Sequence, residues 1–196
     1  MEKRGNWMDL WWHGTDVLLL NEIPPGISFW QRLNIHKRRF LTKYIFDKYT
    51  IKHVVAHELL KKELQTFGVK KEIQIIPAPI WFAKPFKKTK HSKFTLFFYL
   101  PKSNKFNNWL YGYDYFLEVK KLFTDIDYLI IDGKQDMSKI FPIVDFYLRP
   151  NRHDGDPRLV RECKINKIPF YWSQTNPQKT EIIKAITNAK NKFYSK

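Results

Sequence analysis

The residues best suited to chemistry fall in one stretch, Tyr147-Leu-Arg-Pro-Asn-Arg-His-Asp-Gly-Asp-Pro-Arg-Leu-Val-Arg-Glu162. Two carboxylates, Asp154 and Glu162, bracket its second half. Each can accept two strong hydrogen bonds from a vicinal diol. Between them, Gly155 suits a tight loop, and Asp156 and Pro157 read as the N-cap and first residue of a helix. Such a loop aims backbone N–H groups and the positive end of a helix at one spot, where phosphate is a natural occupant. Together these residue types describe a pocket for a ligand that carries both phosphate and hydroxyls. They also fit a plainer arrangement, with Asp154 a turn residue and Glu162 a solvated helix residue.

The elements that must position this stretch alternate between apolar runs and helix-like periods, which predicts an α/β fold with a mostly parallel sheet. Asp9–Trp12 reads as a strand that delivers the polar loop His13-Gly14-Thr15-Asp16. Residues 29–48 carry Phe29, Leu33, Phe40, Leu41, Tyr44 and Ile45 among basic residues, an amphipathic helix. Ile51–Ala56 is a strand, Glu58–Phe67 a helix stopped by Gly68, and Ile73–Ile76 a strand ended by Pro77 and Pro79. Residues 81–93 are basic, contain Pro85 and lack periodicity, which is linker chemistry. A second α/β series follows. It has strands at Phe94–Leu100, Tyr128–Ile131, Val144–Leu148 and Phe170–Trp172, and helices at Tyr113–Phe123, Pro157–Ile165 and Gln178–Phe193.

Lys and Arg total 35 against 19 Asp and Glu, a formal charge of +16. That field favours anionic partners: nucleic acid, an anionic membrane surface or a diphosphate-bearing substrate. The aromatic residues argue against nucleic acid, because they sit mainly in apolar runs such as Phe94–Tyr99, where core packing is their use. Cys163 is the single cysteine, which excludes an internal disulfide and any cysteine metal cluster. No apolar run nears the roughly 18–20 residues of a membrane span, and the charged opening, Met1 to Asp9, does not read as a signal peptide. The expectation is a soluble cytoplasmic protein, able to touch a membrane peripherally through Lys37, Arg38, Arg39 and Lys43.

The central stretch resembles the Glu-x7-Glu motif of the large retaining family of GT-B glycosyltransferases, with Asp154 in place of the first Glu and Glu162 as the second. The flanking Arg-Pro-x-x-His-Asp-Gly-Asp-Pro, Val-Arg-Glu and Lys-Ile-Pro-Phe-Tyr-Trp are similar, in order, to that family's loop, helix and next strand. By this resemblance Asp154 meets donor-sugar hydroxyls and Glu162 the nucleotide ribose. The backbone at Gly155 and Asp156 approaches the sugar and diphosphate. His13-Gly14-Thr15-Asp16 is similar to the family's His-Gly-x-Asp loop, which places His13 near the reacting sugar carbon. The stretch from Lys52 to Ile80 is similar to the last strand and helix of the family's N-terminal domain, with His57 where Ser is usual. His53 and His57 are expected to be structural. Where the family carries an Arg and a later Lys for the diphosphate, this chain has Lys102 and Lys105 and no Arg. Arg149 and Arg152 are the other candidates for that charge.

The resemblance implies a Rossmann-like parallel sheet in a C-terminal nucleotide-sugar-binding domain (94–196), after a linker (81–93) and a shortened acceptor-side segment (1–80). It implies transfer of a sugar from a nucleoside-diphosphate sugar to a hydroxyl of a glycan, protein or lipid, with retention, and no cofactor or metal. The chain is shorter than two full Rossmann-like domains. That fits a minimal enzyme, one half of a two-protein enzyme, or a degenerate relative, and makes a homodimer or partner subunit an expectation. Two other readings stand beside it. Asp125-Ile-Asp127 and Asp154-Gly-Asp156 both spell the Asp-x-Asp pattern with which metal-dependent GT-A glycosyltransferases hold a cation. The charge alone suits a basic nucleic-acid-binding protein.

Overall fold

A computed structural model describes residues 8–49, 51–77, 79–82 and 84–195. The chain divides into two compact units, Met1–Ala78 and Pro79–Lys196. Both are α/β with all-parallel sheets.

In the first unit, β1 (Met8–Trp12) leads into α1 (Gly14–Asn21), α2 (Phe29–Phe40), β2 (Ile51–Val55), α3 (Glu58–Phe67) and β3 (Ile73–Ile75). The strands lie in the order β1-β2-β3. Trp12, Val17, Leu20, Val55, Leu60, Leu64 and Ile73 form its core. The polar loop expected at His13-Gly14-Thr15-Asp16 is instead the start of a helix, with His13 as an exposed N-cap in extended conformation and helix from Gly14 onward. His53 is buried and accepts from Trp12 Nε1 at 3.0 Å. His57 caps α3 by accepting from the Leu59 N–H at 3.2 Å. Gly68 ends α3 at φ 113°, a left-handed conformation that favours glycine.

The helix expected over 29–48 is regular only to Phe40. Ser28 and Gln31 start it with a reciprocal capping box. It then widens into a π turn, Leu41–Ile45, and tightens into a 3-10 turn, Phe46–Lys48. The Thr42 hydroxyl donates to the Arg38 carbonyl at 2.9 Å and competes for the helix's own acceptor at the break.

The second unit contains β4 (Thr95–Tyr99), α4 (Lys105–Leu110), α5 (Tyr113–Leu122), β5 (Asp127–Ile131), α6 (Met137–Ile140), β6 (Phe146–Arg149), α7 (Arg158–Ile165), β7 (Phe170–Trp172) and α8 (Lys179–Tyr194). Its strand order is β5-β4-β6-β7. Alternation along β4 explains why its run is apolar throughout. Leu96 and Phe98 face a core with Phe116 and Val119 of α5 and Ile182 and Ile186 of α8. Phe97 faces the other way, onto Tyr147, Phe141, Val160 and Cys163. A parallel strand buried on both faces has no polar side to present, and each such side chain contributes about 1.5–3 kcal/mol of burial. On α5, Phe116 is buried in this core, whereas the adjacent Leu117 is 40% exposed.

The described residues of 81–93, expected as a linker, belong to this second unit. Phe82 and Phe86 pack on Phe141, with ring centroids 6.0 and 5.9 Å away. The Phe86 N–H donates to Asn166 Oδ1 at 2.8 Å and the Thr89 N–H to the Pro142 carbonyl at 2.9 Å. Lys88 and His91 both meet the buried Asp145 carboxylate, at 2.9 and 2.7 Å. These anchors are single aromatic rings, backbone donors and two side chains that share one carboxylate, so they leave no periodic trace in the sequence.

Candidate functional site

In the second unit the chain steps from β4 to β5 on one side, then crosses back to lay β6 on the other side of β4. Ligands of open parallel sheets bind outside the carboxyl ends of strands at such a reversal. A cleft of about 240 Å³ occupies that place, lined by Tyr99 at the end of β4, Ile131 and Gly133 after β5, Arg149 at the end of β6, and Pro157, Arg158 and Leu159 at the start of α7. Trp81 forms part of its wall.

The first turn of α7 explains part of its chemistry. Pro157, not Asp156, is the N-cap, and it offers no side-chain acceptor. Proline at this position has ψ 121°, so the helix begins one residue later than the sequence suggests. The Asp156 carboxylate is drawn instead to Arg161, at 3.2 Å. The positive end of α7 therefore faces the cleft without a capping carboxylate from either residue. Beside it, the Arg158 guanidinium stacks 3.4 Å from the centroid of the Trp81 ring, and its buried Nε has no hydrogen-bond partner.

Arg149 and Asp154 form the floor of the loop. Arg149 donates through Nε and Nη2 to Asp154, the latter bond at 3.1 Å, and through Nη1 to the Tyr147 hydroxyl at 3.0 Å. Burial opposes the charge on Arg149, but the Asp154 carboxylate outweighs it and holds the guanidinium well above its ordinary pKa. The Asp154 carboxylate also accepts from the Gly155 N–H at 3.1 Å and from Trp172 Nε1 at 3.2 Å. Its acceptor sites are thus filled from inside the protein. Contact with donor-sugar hydroxyls, which the resemblance implies for Asp154, requires breaking one of these bonds.

Glu162 departs further from its expected role. Its residue is 1% exposed, its Oε1 accepts the Trp81 backbone N–H at 3.0 Å, and Arg158 Nε lies 3.7 Å away. It braces the cleft wall from behind rather than presenting a carboxylate to it. Neighbouring Cys163 is fully buried, and burial pushes its thiol well up, which suits packing rather than nucleophilic chemistry.

The remaining candidates separate. Arg152 grips Asp114 at 2.9 and 2.5 Å, donates to the Trp109 carbonyl at 2.6 Å and covers Tyr115, so it ties the loop to α5. Gly112, just before α5, has φ 67°, and a Cβ there would lie 2.2 Å from the Pro150 carbonyl oxygen, which brings the two segments together. Lys102 and Lys105 are exposed on the loop after β4 and the first turn of α4, and neither is among the residues lining the cleft. Gly155 is buried in the loop. His13 belongs to the first unit, at the carboxyl end of β1. Both Asp-x-Asp tripeptides are tied to cations: Asp125 to Lys190 at 2.5 Å, Asp127 to Lys93 at 2.6 Å, Asp154 to Arg149, and Asp156 to Arg161.

Sequence reasoning missed Trp81, Arg158 and Tyr99 as site residues. The one local signal was a tryptophan in an aperiodic stretch between two prolines, where core packing is not an obvious use. Compared with known proteins, the sequence matches no protein-family model and no curated protein. Among the described residues, no helix is long and apolar enough to cross a membrane.

Proposed function

We propose that the chain is a glycosyltransferase that takes a nucleoside-diphosphate sugar at the carboxyl edge of its second sheet and transfers the sugar, with retention, to a hydroxyl acceptor. The observation that carries this reading is the cleft at the β4–β6 reversal, where Arg158, Arg149 and the uncapped start of α7 converge. A diphosphate leaving group needs charge neutralisation more than a strong base, and fixed cations and helix N–H groups provide it without reorganising. Arg158, held flat by Trp81 and braced by Glu162, is the principal phosphate partner. The terminal N–H groups that Arg149 does not direct at Asp154 or Tyr147 add to it. The catalytic role of His13, at the start of α1, rests on the resemblance of its loop alone.

Thermal unfolding with UDP, GDP, ADP and dTDP, each with and without manganese, tests the reading. A ligand at about 100 times its Kd stabilises a protein by about 2.7 kcal/mol. Metal-independent stabilisation by one nucleotide supports the proposal. Stabilisation only with manganese favours a GT-A-type reaction, and no shift with any of them removes the donor site.

A further inference from the structure

The first unit carries an exposed apolar and basic surface along α2. Along α2, Ile35 is the buried residue and packs inward. At about 100° per residue, Phe29, Leu33 and Phe40 fall on one stripe on the opposite side of the helix. Tyr44 in the π turn extends the stripe, its ring 5.3 Å from Phe40, and Trp30 broadens its start, 5.6 Å from Phe29. Phe29 and Trp30 are each 72% exposed, Leu33 52%, Phe40 56% and Tyr44 51%. Isolated exposed apolar residues are ordinary, but five in one contiguous strip need a partner.

Charge selects the partner. No acidic residue occurs between Glu22 and Asp47, while Arg32, Lys37, Arg38, Arg39 and Lys43 do. Arg38 is held by Asp16 and Arg39 by the Leu19 carbonyl at 3.1 Å, so these two serve the fold. Arg32, Lys37 and Lys43 are exposed beside the stripe. A second copy of this face would bring cations against cations with no carboxylate between them. A nucleic acid would use the cations but leave Leu33 and the paired rings in water. An apolar stripe flanked by exposed cations matches the acyl boundary and headgroups of an anionic bilayer.

We infer that residues 29–45 form a monotopic docking surface for an anionic lipid bilayer. Phe29, Trp30, Leu33, Phe40 and Tyr44 enter the interface, and Arg32, Lys37 and Lys43 meet lipid phosphates. This surface stands independently of the donor cleft.

Flotation of the full chain with phosphatidylcholine vesicles, with and without phosphatidylglycerol, tests it. The protein floats with the anionic vesicles and not with the neutral ones. Each exposed cation contributes about fivefold in partitioning, so Lys37→Ala with Lys43→Ala lowers it roughly 25-fold. Phe29→Ser with Trp30→Ser abolishes flotation without lowering the melting temperature, because both side chains are exposed. In the wild type, brominated acyl chains quench a component of tryptophan emission that is absent in Trp30→Phe, a mild change that controls for misfolding of the serine variant. Equal flotation with neutral vesicles, full flotation of a folded serine variant, or no quenching assigned to Trp30 overturns the inference. So does tighter binding to a DNA duplex than to anionic vesicles, or a dimer that Trp30→Ser dissociates.

Discussion

Glu162 holds the backbone N–H of Trp81 on its Oε1 at 3.0 Å, across 81 residues of chain. The carboxylate that the motif suggested for a ribose thus fixes the wall of the cleft, and through Trp81 it fixes the plane on which Arg158 lies. Replacing Glu162 with Ala leaves a donor unpaired and is expected to lower unfolding stability by about 1–3 kcal/mol. Glu162→Gln keeps an acceptor oxygen and is expected to lose less. Urea denaturation distinguishes these; an Ala variant as stable as the wild type would mean that the contact does not brace the wall.

The bond between Arg149 and Asp154 is buried, so Asp154→Ala strands a guanidinium. The expected loss is about 3–5 kcal/mol, the usual effect of removing one partner from a buried pair. Denaturant titration of Asp154→Ala measures it. A loss under about 1 kcal/mol, the range of exposed pairs, would place this pair in water.

Asp114 offers a pH test. Burial works to raise its carboxyl pKa, but the hydrogen bonds and charge of Arg152 prevail and hold it below the ordinary value. A carboxyl depressed by folding contributes stability that is fully present above its unfolded pKa, about 3.9, and is lost as pH falls through the folded one. Wild type is therefore more stable than Asp114→Asn from neutral pH down to about pH 4, and the gap closes in stronger acid. A gap that stays constant across the acid range would assign the effect to packing.

His13 stands as an exposed N-cap, without a side-chain hydrogen bond to its helix. Its substitution by Ala should leave the melting temperature and nucleotide affinity unchanged. If His13 stabilises charge at the reacting sugar, release of sugar from the donor slows by about 100-fold or more. Loss of affinity with unchanged turnover would make it a binding residue instead.

The strands and most helices were legible because their signals are local: contiguous apolar runs for β4 and β6, a glycine stop for α3, and apolar positions on α5 and α8. The site was legible only in outline. The loop after β6 and the cleft above it followed from strand, glycine and helix in sequence, yet the partners of each carboxylate did not. Asp156 is claimed by Arg161 rather than by the helix start, Glu162 by a backbone N–H distant in sequence, and Asp154 by an arginine and a tryptophan from two strands. Such competition between acceptors is settled by tertiary geometry, and no spacing rule encodes it. The helix at Gly14 was hidden for a related reason: an uncapped start lacks the Ser, Thr, Asp or Asn that announces most helices.

Isothermal titration of UDP, GDP, ADP and dTDP into the wild type and Arg158→Ala tests the central claim most directly. A charge-assisted bond to phosphate is worth about 1.5–3 kcal/mol, so the substitution should weaken the nucleotide that binds by roughly 10- to 100-fold, with no change in fold. Binding of equal strength in both proteins, or by neither, would contradict a donor site at the end of β4 and β6.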